Sequence, residues 1–259
     1  GYGSDILKHA PYPVTTPSAD RNELEFWMVN DIHGRDSVFR LLIGDAPRQK
    51  PDFVCLNGDL LNSIESEKAL FEGFLASASE LLTPAGIPLV VTRGNHDGRG
   101  KFARHWLDYF PTPTGESYYT FRRGPVFFVV LDGCEDKPDS DIRYYGLSTA
   151  DAYREQRAQW RRGVVAGEEF RSAPYRIVLI HMPPNKGRGW HGELEIERLF
   201  LPILDGSGID LMLCGHYHRY QWIDDRSRGA DFPILINSNN DKTVVKADEK
   251  GIDIRVVDT

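Results

Sequence analysis

Leu24-Glu25-Phe26-Trp27-Met28-Val29, followed after Asn30 by Asp31-Ile32-His33-Gly34, is the stretch from which the fold can be read. An apolar run of strand length stops at a carboxylate, an imidazole and a glycine. The pattern repeats on going outward. Ser37 to Leu42 opens a helical spacing, and Asp52-Phe53-Val54-Cys55-Leu56 is a second strand running into Gly58-Asp59. Helix-like spacing from Glu65 to Leu82, then Pro84 and Gly86, leads to Ile87-Pro88-Leu89-Val90-Val91 and to Gly94-Asn95-His96-Asp97. Tyr175 to Ile180 ends in His181, and Ile209 to Cys214 feeds Gly215-His216-Tyr217-His218.

Between these segments, Tyr118 to Phe121 and Val126 to Leu131 read as paired strands across Arg123-Gly124-Pro125. Thr149 to Val164 reads as an amphipathic helix whose Arg154, Arg157, Arg161 and Arg162 form a solvated face, and Leu194 to Leu204 is helical. Phe232 to Ile236, Thr243 to Lys246 and Ile252 to Val257 add strands. Mixed parallel and antiparallel strands with helices outside predict an α/β fold of two sheets packed face to face. Residues 1–22, with Pro11, Pro13 and Pro17, read as an arm or linker remnant, and residues 23–259 as the folded domain.

The 259 residues are 41% hydrophobic and 27% charged, enough to bury a large core. A formal charge of -7 argues against generic binding of nucleic acid or an anionic membrane, although bound cations would invert the sign locally. No apolar run reaches membrane-spanning length. Gly1-Tyr2-Gly3-Ser4-Asp5 lacks an initiator Met and a signal-peptide core, which reads as a trimmed start and favours an exported bacterial protein over a cytoplasmic one. Cys55, Cys134 and Cys214, odd in number and widely spaced, read as small buried hydrophobes rather than disulfide partners.

Each polar cluster taken singly has a bland reading, because a histidine at a strand end is commonly a satisfied polar residue and Gly-Asn-His-Asp is an acceptable turn. Together they do not. Five of the eight histidines fall in these clusters, beside Asp31, Asp59 and Asn95. Hard carboxylates and imidazoles delivered from several strand ends to one face are what two adjacent divalent metal ions require. Asp31 and His33 can point at one ion, Asp59 can bridge two, Asn95 offers an amide oxygen, and His181, His216 and His218 offer imidazoles.

The series Asp31-x-His33, Gly58-Asp59, Gly94-Asn95-His96-Asp97, His181 and Gly215-His216-x-His218 resembles the motif series of the calcineurin-like metallophosphoesterase superfamily, over about residues 24–221. The resemblance implies a four-layer α/β/β/α sandwich with two mixed β-sheets. It implies two divalent or trivalent transition-metal ions (manganese, iron or zinc), one held by Asp31, His33, Asp59 and His218, the other by Asp59, Asn95, His181 and His216. It also implies hydrolysis of a small phosphorylated substrate by a metal-bridging hydroxide. His96 takes the place of the family's catalytic histidine, acting on the leaving oxygen, and Asp97 that of the acid orienting it. Arg93 resembles an arginine that contacts phosphate.

The chain departs from two branches of that superfamily. Asp59-Leu60-Leu61-Asn62-Ser63 lacks the Asp-Arg-Gly continuation of serine/threonine phosphatases. His33 and Asn62 stand where purple acid phosphatases have Gly and a metal-ligating Tyr, although Tyr118-Tyr119-Thr120-Phe121 and His181-Met182-Pro183-Pro184 keep an acid-phosphatase style. Gly187-Arg188-Gly189-Trp190-His191-Gly192 matches G-x-G-x-x-G, but two prolines separate it from its strand and no ribose-binding acid follows. It reads instead as a mobile substrate loop, with Lys186, Arg188, Trp190 and His191 as candidate contacts. A phosphodiesterase acting on nucleotides or cyclic nucleotides is the nearest alternative. A non-catalytic scaffold should show gaps in the ligand set, and there are none.

Overall fold

The computed structural model describes residues 11–13 and 21–258. Most of the expected N-terminal arm, His9 included, lies outside the described residues. Strands β1 (Leu24–Val29), β2 (Phe53–Asn57) and β3 (Leu89–Thr92) run parallel. Beyond β1 lies an antiparallel hairpin of two eight-residue strands, Asp241–Asp248 and Gly251–Asp258, which completes a five-stranded sheet. The second sheet has six strands. Its parallel centre is Val126–Val130, Tyr175–Leu179, Leu211–Cys214 and Ile234–Ile236, flanked by antiparallel edge strands Tyr119–Arg123 and Gln221–Ile223. The last of these, only three residues long, carries no apolar run that would reveal it.

Alternation along each strand sends side chains to two buried faces, which is why the central strands read as continuous apolar runs. Phe26 and Met28 of β1 enter the layer between the sheets with Phe53, Cys55, Phe128, Val130, Leu179 and Leu213. Trp27 and Val29 face the other way, onto Phe39, Leu42, Phe74 and Leu82 of the helices covering that sheet. Val129, Val178 and Met212 pack beneath Phe170, Ile196 and Phe200 of the outer helices on the second sheet. The result is the α/β/β/α sandwich.

Several helices depart from their expected outlines. Glu67–Leu82 is one continuous helix with a turn of π spacing over Phe71–Leu75. The expected helix from Thr149 breaks at Arg157 into Ala150–Gln156 and Ala158–Ala166. Two of its four arginines correct the reading of a solvated face, because Arg154 and Arg161 are 0% and 3% exposed, whereas Arg157 is half-buried and Arg162 exposed. Arg154 reaches the carbonyls of Gly133 and Glu135 at 2.8 and 3.0 Å, and the Arg161 guanidinium lies 3.7 Å over the Phe200 ring. Among the described residues no helix is long and apolar enough to cross a membrane.

Candidate metal centre

Parallel strands place their C-terminal ends along one rim, and the two sheets bring their rims together there. The loops are bonded to one another. Asp31 N donates to Gly58 O at 2.9 Å, His33 N to Asp59 O at 3.0 Å, and Gly215 N to His181 O at 2.9 Å. Asn57, buried at the end of β2, donates across the seam to Leu213 O and Ile180 O at 3.1 and 3.3 Å. Asp31, His33, Asp59, His216 and His218 all have positive φ, between 51° and 75°. Non-glycine residues are uncommon there, and such strain persists where surrounding contacts fix it and function uses it.

Two groups of side chains could hold a metal ion among the described residues: Asp31 with His33 and His218, and Asp59 with His181 and His216. Donors to Asp31 collect on Oδ2, from Asn30 Nδ2 at 2.7 Å and His216 N at 2.8 Å. Its Oδ1 is buried and unpartnered, 3.1 Å from His218 Nε2 and 3.7 Å from His33 Nε2. The two imidazole Nε2 atoms are themselves 3.1 Å apart. His181 gives Nδ1 to Asn57 O at 2.8 Å, which aims a buried, unpartnered Nε2 at Asp59 Oδ2, 3.1 Å away. Asn95 is 2% exposed with neither amide atom partnered. Unsatisfied buried polar atoms cost about 1–3 kcal/mol each, so several together mark a place for a ligand. The donor set of carboxylate, amide oxygen and imidazole fits divalent or trivalent transition metals.

Two glycines leave room for this arrangement. A Cβ on Gly94 would lie 2.2 Å from Asp59 Oδ1, and one on Gly58 2.5 Å from His181 Nδ1. The electrostatics follow. Burial opposes charge on Asp31, but the close imidazoles of His181, His218 and His33 hold its pKa far below the usual carboxylate range. Burial likewise opposes charge on His181, and Asp59 and Asp31 outweigh it, lifting its pKa to about 10.

A model of the calcineurin-like phosphoesterase family matches residues 24–220. The chain belongs to that family. Its similarity to the serine/threonine-protein phosphatase CPPED1 of Pongo abelii is 24% identity over 66% of this chain and 54% of the relative. Purple acid phosphatase 22 of Arabidopsis thaliana is 23% identical over 85% of this chain and 48% of the relative. The chain thus spans about half the length of these curated relatives. In fold it is similar to a dimetal phosphatase from Danio rerio, with TM-score 0.59 and 14% identity over 91% of this chain and 98% of that one. It is also similar to GAP50, the anchor in the inner membrane complex of Plasmodium, with TM-score 0.56 and 16% identity over 92% of this chain and 85% of that one.

Within this site, His96 stands over the first group, its ring centroid 5.0 Å from that of His33. Its Nδ1 meets Asn62 O at 2.9 Å, and Arg99 Nη1 lies 3.0 Å from its Nε2. Asp97 does not orient it. The Asp97 carboxylate turns inward and accepts from the backbone N–H groups of Asp59, Leu60 and Gly94 at 2.8–2.9 Å, tying the second and third loops together. Arg99, which no motif marked, is gripped by Glu135 Oε1 and Oε2 at 2.7 and 2.9 Å and by Asp136 Oδ1 at 2.8 Å. Burial, with Arg99 and His33 adding to it, pulls the His96 pKa below its ordinary value against Asp59 and the Asn62 carbonyl.

Beside Asn95 opens a cavity of about 830 Å³, lined by Arg93, Arg99, Lys137, Tyr144 and Tyr153 among others. Arg93 is there, as a phosphate contact requires, but its Nη2 is paired at 2.6 Å with buried Asp132. The substrate loop is less united. Trp190 lies 5.2 Å under Lys137 Nζ at the cavity side, whereas His191 Nε2 is held by Asp151 at 2.7 Å. Lys186 and Arg188 are exposed and do not line the cavity. Two of the G-x-G-x-x-G glycines serve packing: a Cβ on Gly189 would strike Glu193 Oε2, and one on Gly192 would sit 2.5 Å from Glu135 O.

Proposed function

We infer that this chain hydrolyses phosphate esters with two transition-metal ions. Asp31, His33, Asp59 and His218 would hold one ion, and Asp59, Asn95, His181 and His216 the other. The observation that carries this reading is the pairing of Asp31 Oδ1 with His181 Nε2, 3.8 Å apart and both buried and unpartnered, together with a buried, unpartnered Asn95 amide in the third loop. Bound there, the ions supply Lewis-acid polarisation of the phosphoryl oxygens and lower the pKa of water.

The chain's own groups do the rest. Asn57 O and the Asn30 amide fix which atom of His181 and of Asp31 faces the centre, so no reorganisation accompanies binding. His96 and Arg99 stand together beside the cavity. His96, its Nδ1–H anchored on Asn62 O, gives the leaving oxygen a proton from Nε2 in its imidazolium form, and Arg99 adds a positive charge where negative charge develops. The substrate is a small phosphorylated molecule whose leaving group occupies the cavity of about 830 Å³. A complete ligand set weighs against a scaffold of the same fold.

The test is metal content by elemental analysis of protein purified without added metal, with hydrolysis of para-nitrophenyl phosphate and of its bis-ester in added manganese, iron or zinc. Two metals per chain and metal-dependent turnover are expected. Preference for the bis-ester would assign a diesterase. A chain that takes up no metal and stays inactive on reconstitution refutes the reading.

A further inference from the structure

Glu193 is fully buried, belongs to none of the motifs, and aims an unpartnered carboxylate oxygen at the metal centre. It sits in the first turn of helix His191–Leu199, on the inward face with Ile196. Oε1 lies 3.3 Å from His216 Nε2. Oε2 is occupied on the other side, accepting from Trp190 N at 3.0 Å and Asn185 Nδ2 at 3.3 Å. Loop 185–190 is wrapped round this carboxylate: Gly189 has φ +109°, and any side chain there would collide with Oε2.

We propose that Glu193 is the positioning residue of His216, taking its Nε2–H and thereby leaving Nδ1 as the metal-binding atom of the second site. This rests on the two-metal reading above. A carboxylate behind a ligating histidine fixes its tautomer and orientation and raises its basicity, and losing it costs about 10–100-fold in metal affinity. In the first site no side chain of Asp31, His33 or His218 contacts Glu193: Asp31 is held by the Asn30 side chain and the His216 backbone N–H, His33 by the Asp59 carbonyl, and His33 and His218 by each other, while Asp59 serves both sites. Glu193 also ties the second site to the loop that borders the cavity, through Asn185, which donates to the Tyr217 hydroxyl at 2.6 Å.

Glu193→Gln tests this with almost no change of volume. The two donors at Oε2 select the amide oxygen, so the amide NH₂ faces His216 Nε2. That nitrogen must then accept, the proton moves to Nδ1, and the atom needed by the metal is blocked. Chelator-stripped wild-type and E193Q protein are titrated with Mn²⁺, free metal being read by electron paramagnetic resonance. Wild type is expected to bind two ions, and E193Q to keep one site and lose about 10–100-fold at the other. Two wild-type affinities in E193Q, or equal weakening of both sites, overturns the proposal. A wild type that binds no Mn²⁺ overturns the two-metal reading itself. Independently of any variant, long-range ¹H–¹⁵N correlation on Zn²⁺-loaded wild type should find the His216 proton on Nε2, and a proton on Nδ1 overturns the assignment.

Discussion

Gly94→Ala adds one methyl group at the most crowded point of the centre. Its Cβ would lie 2.2 Å from both the backbone N and the Oδ1 of Asp59, and 2.9 Å from the Gly58 carbonyl carbon. Relief to ordinary contact needs a movement of roughly 1 Å, since core positions tolerate little overlap. Asp59 has nowhere to go: its N–H is bonded to Asp97 Oδ2 at 2.8 Å, and its Oδ1 accepts from His96 N at 2.8 Å. Overpacking of this kind costs about 1–3 kcal/mol of stability. The larger effect is on function, because a 1 Å misplacement of a ligand or reacting group can cost about 100-fold. Urea denaturation, Mn²⁺ titration and para-nitrophenyl phosphate turnover measure the three consequences. Gly98→Ala, four residues on, meets nothing within 4 Å and should stay within about 0.5 kcal/mol of wild type in the same assays. A Gly94→Ala protein with wild-type metal affinity and turnover would refute the claim that Asp59 is held in a rigid socket.

Three further outcomes follow from the same geometry. His96→Ala should retain both metals and lose about 10²–10⁴-fold in turnover, and undiminished rates would remove His96 from the reaction. Metal binding should release protons: below its pKa of about 10 the metal-free His181 ring carries a proton that a metal must displace, so affinity rises with pH through neutrality. Acidification of a weakly buffered solution on adding Mn²⁺ reads this, and a silent titration would contradict it. Arg161→Met should melt at or above wild type, because burial lowers the Arg161 pKa to about 10 and its charge is stacked on Phe200. A fall of about 4 °C or more, roughly 1–2 kcal/mol for a chain of this size, would show that the guanidinium is stabilising.

The central strands, and the strand ends at which the candidate ligands stand, were legible because one physical fact produces both. A parallel strand buried on two faces must be an uninterrupted apolar run, and whatever polar residue ends it stands on the sheet rim. Local spacing carries no such information about Asp97, whose place next to His96 in sequence says nothing about a side chain that turns toward the Asp59 loop. Arg154 and Arg161 misled for a related reason: their partners are carbonyls and a ring from other parts of the chain. Glu193 is one of three glutamates in Glu193-Leu194-Glu195-Ile196-Glu197, and only its spacing of three from Ile196 hints that it faces inward. Arg99 follows the third motif by two residues, but its acidic grip comes from Glu135 and Asp136.

The seam between the sheets divides the donors by time. Asp31, His33, Asp59 and Asn95 leave the first sheet, while His181, His216 and His218 leave the second, and His33 meets His218 across 185 residues of chain. A nascent chain emerging from the ribosome therefore exposes the carboxylates long before the imidazoles that complete either site exist. Ions met early would find two carboxylates, an amide and a single imidazole, too few to complete either site, and would exchange freely. On the two-metal reading, tight capture must wait until nearly the whole domain is made and its halves have closed, which makes metal loading a late step of maturation that would also clasp one sheet to the other.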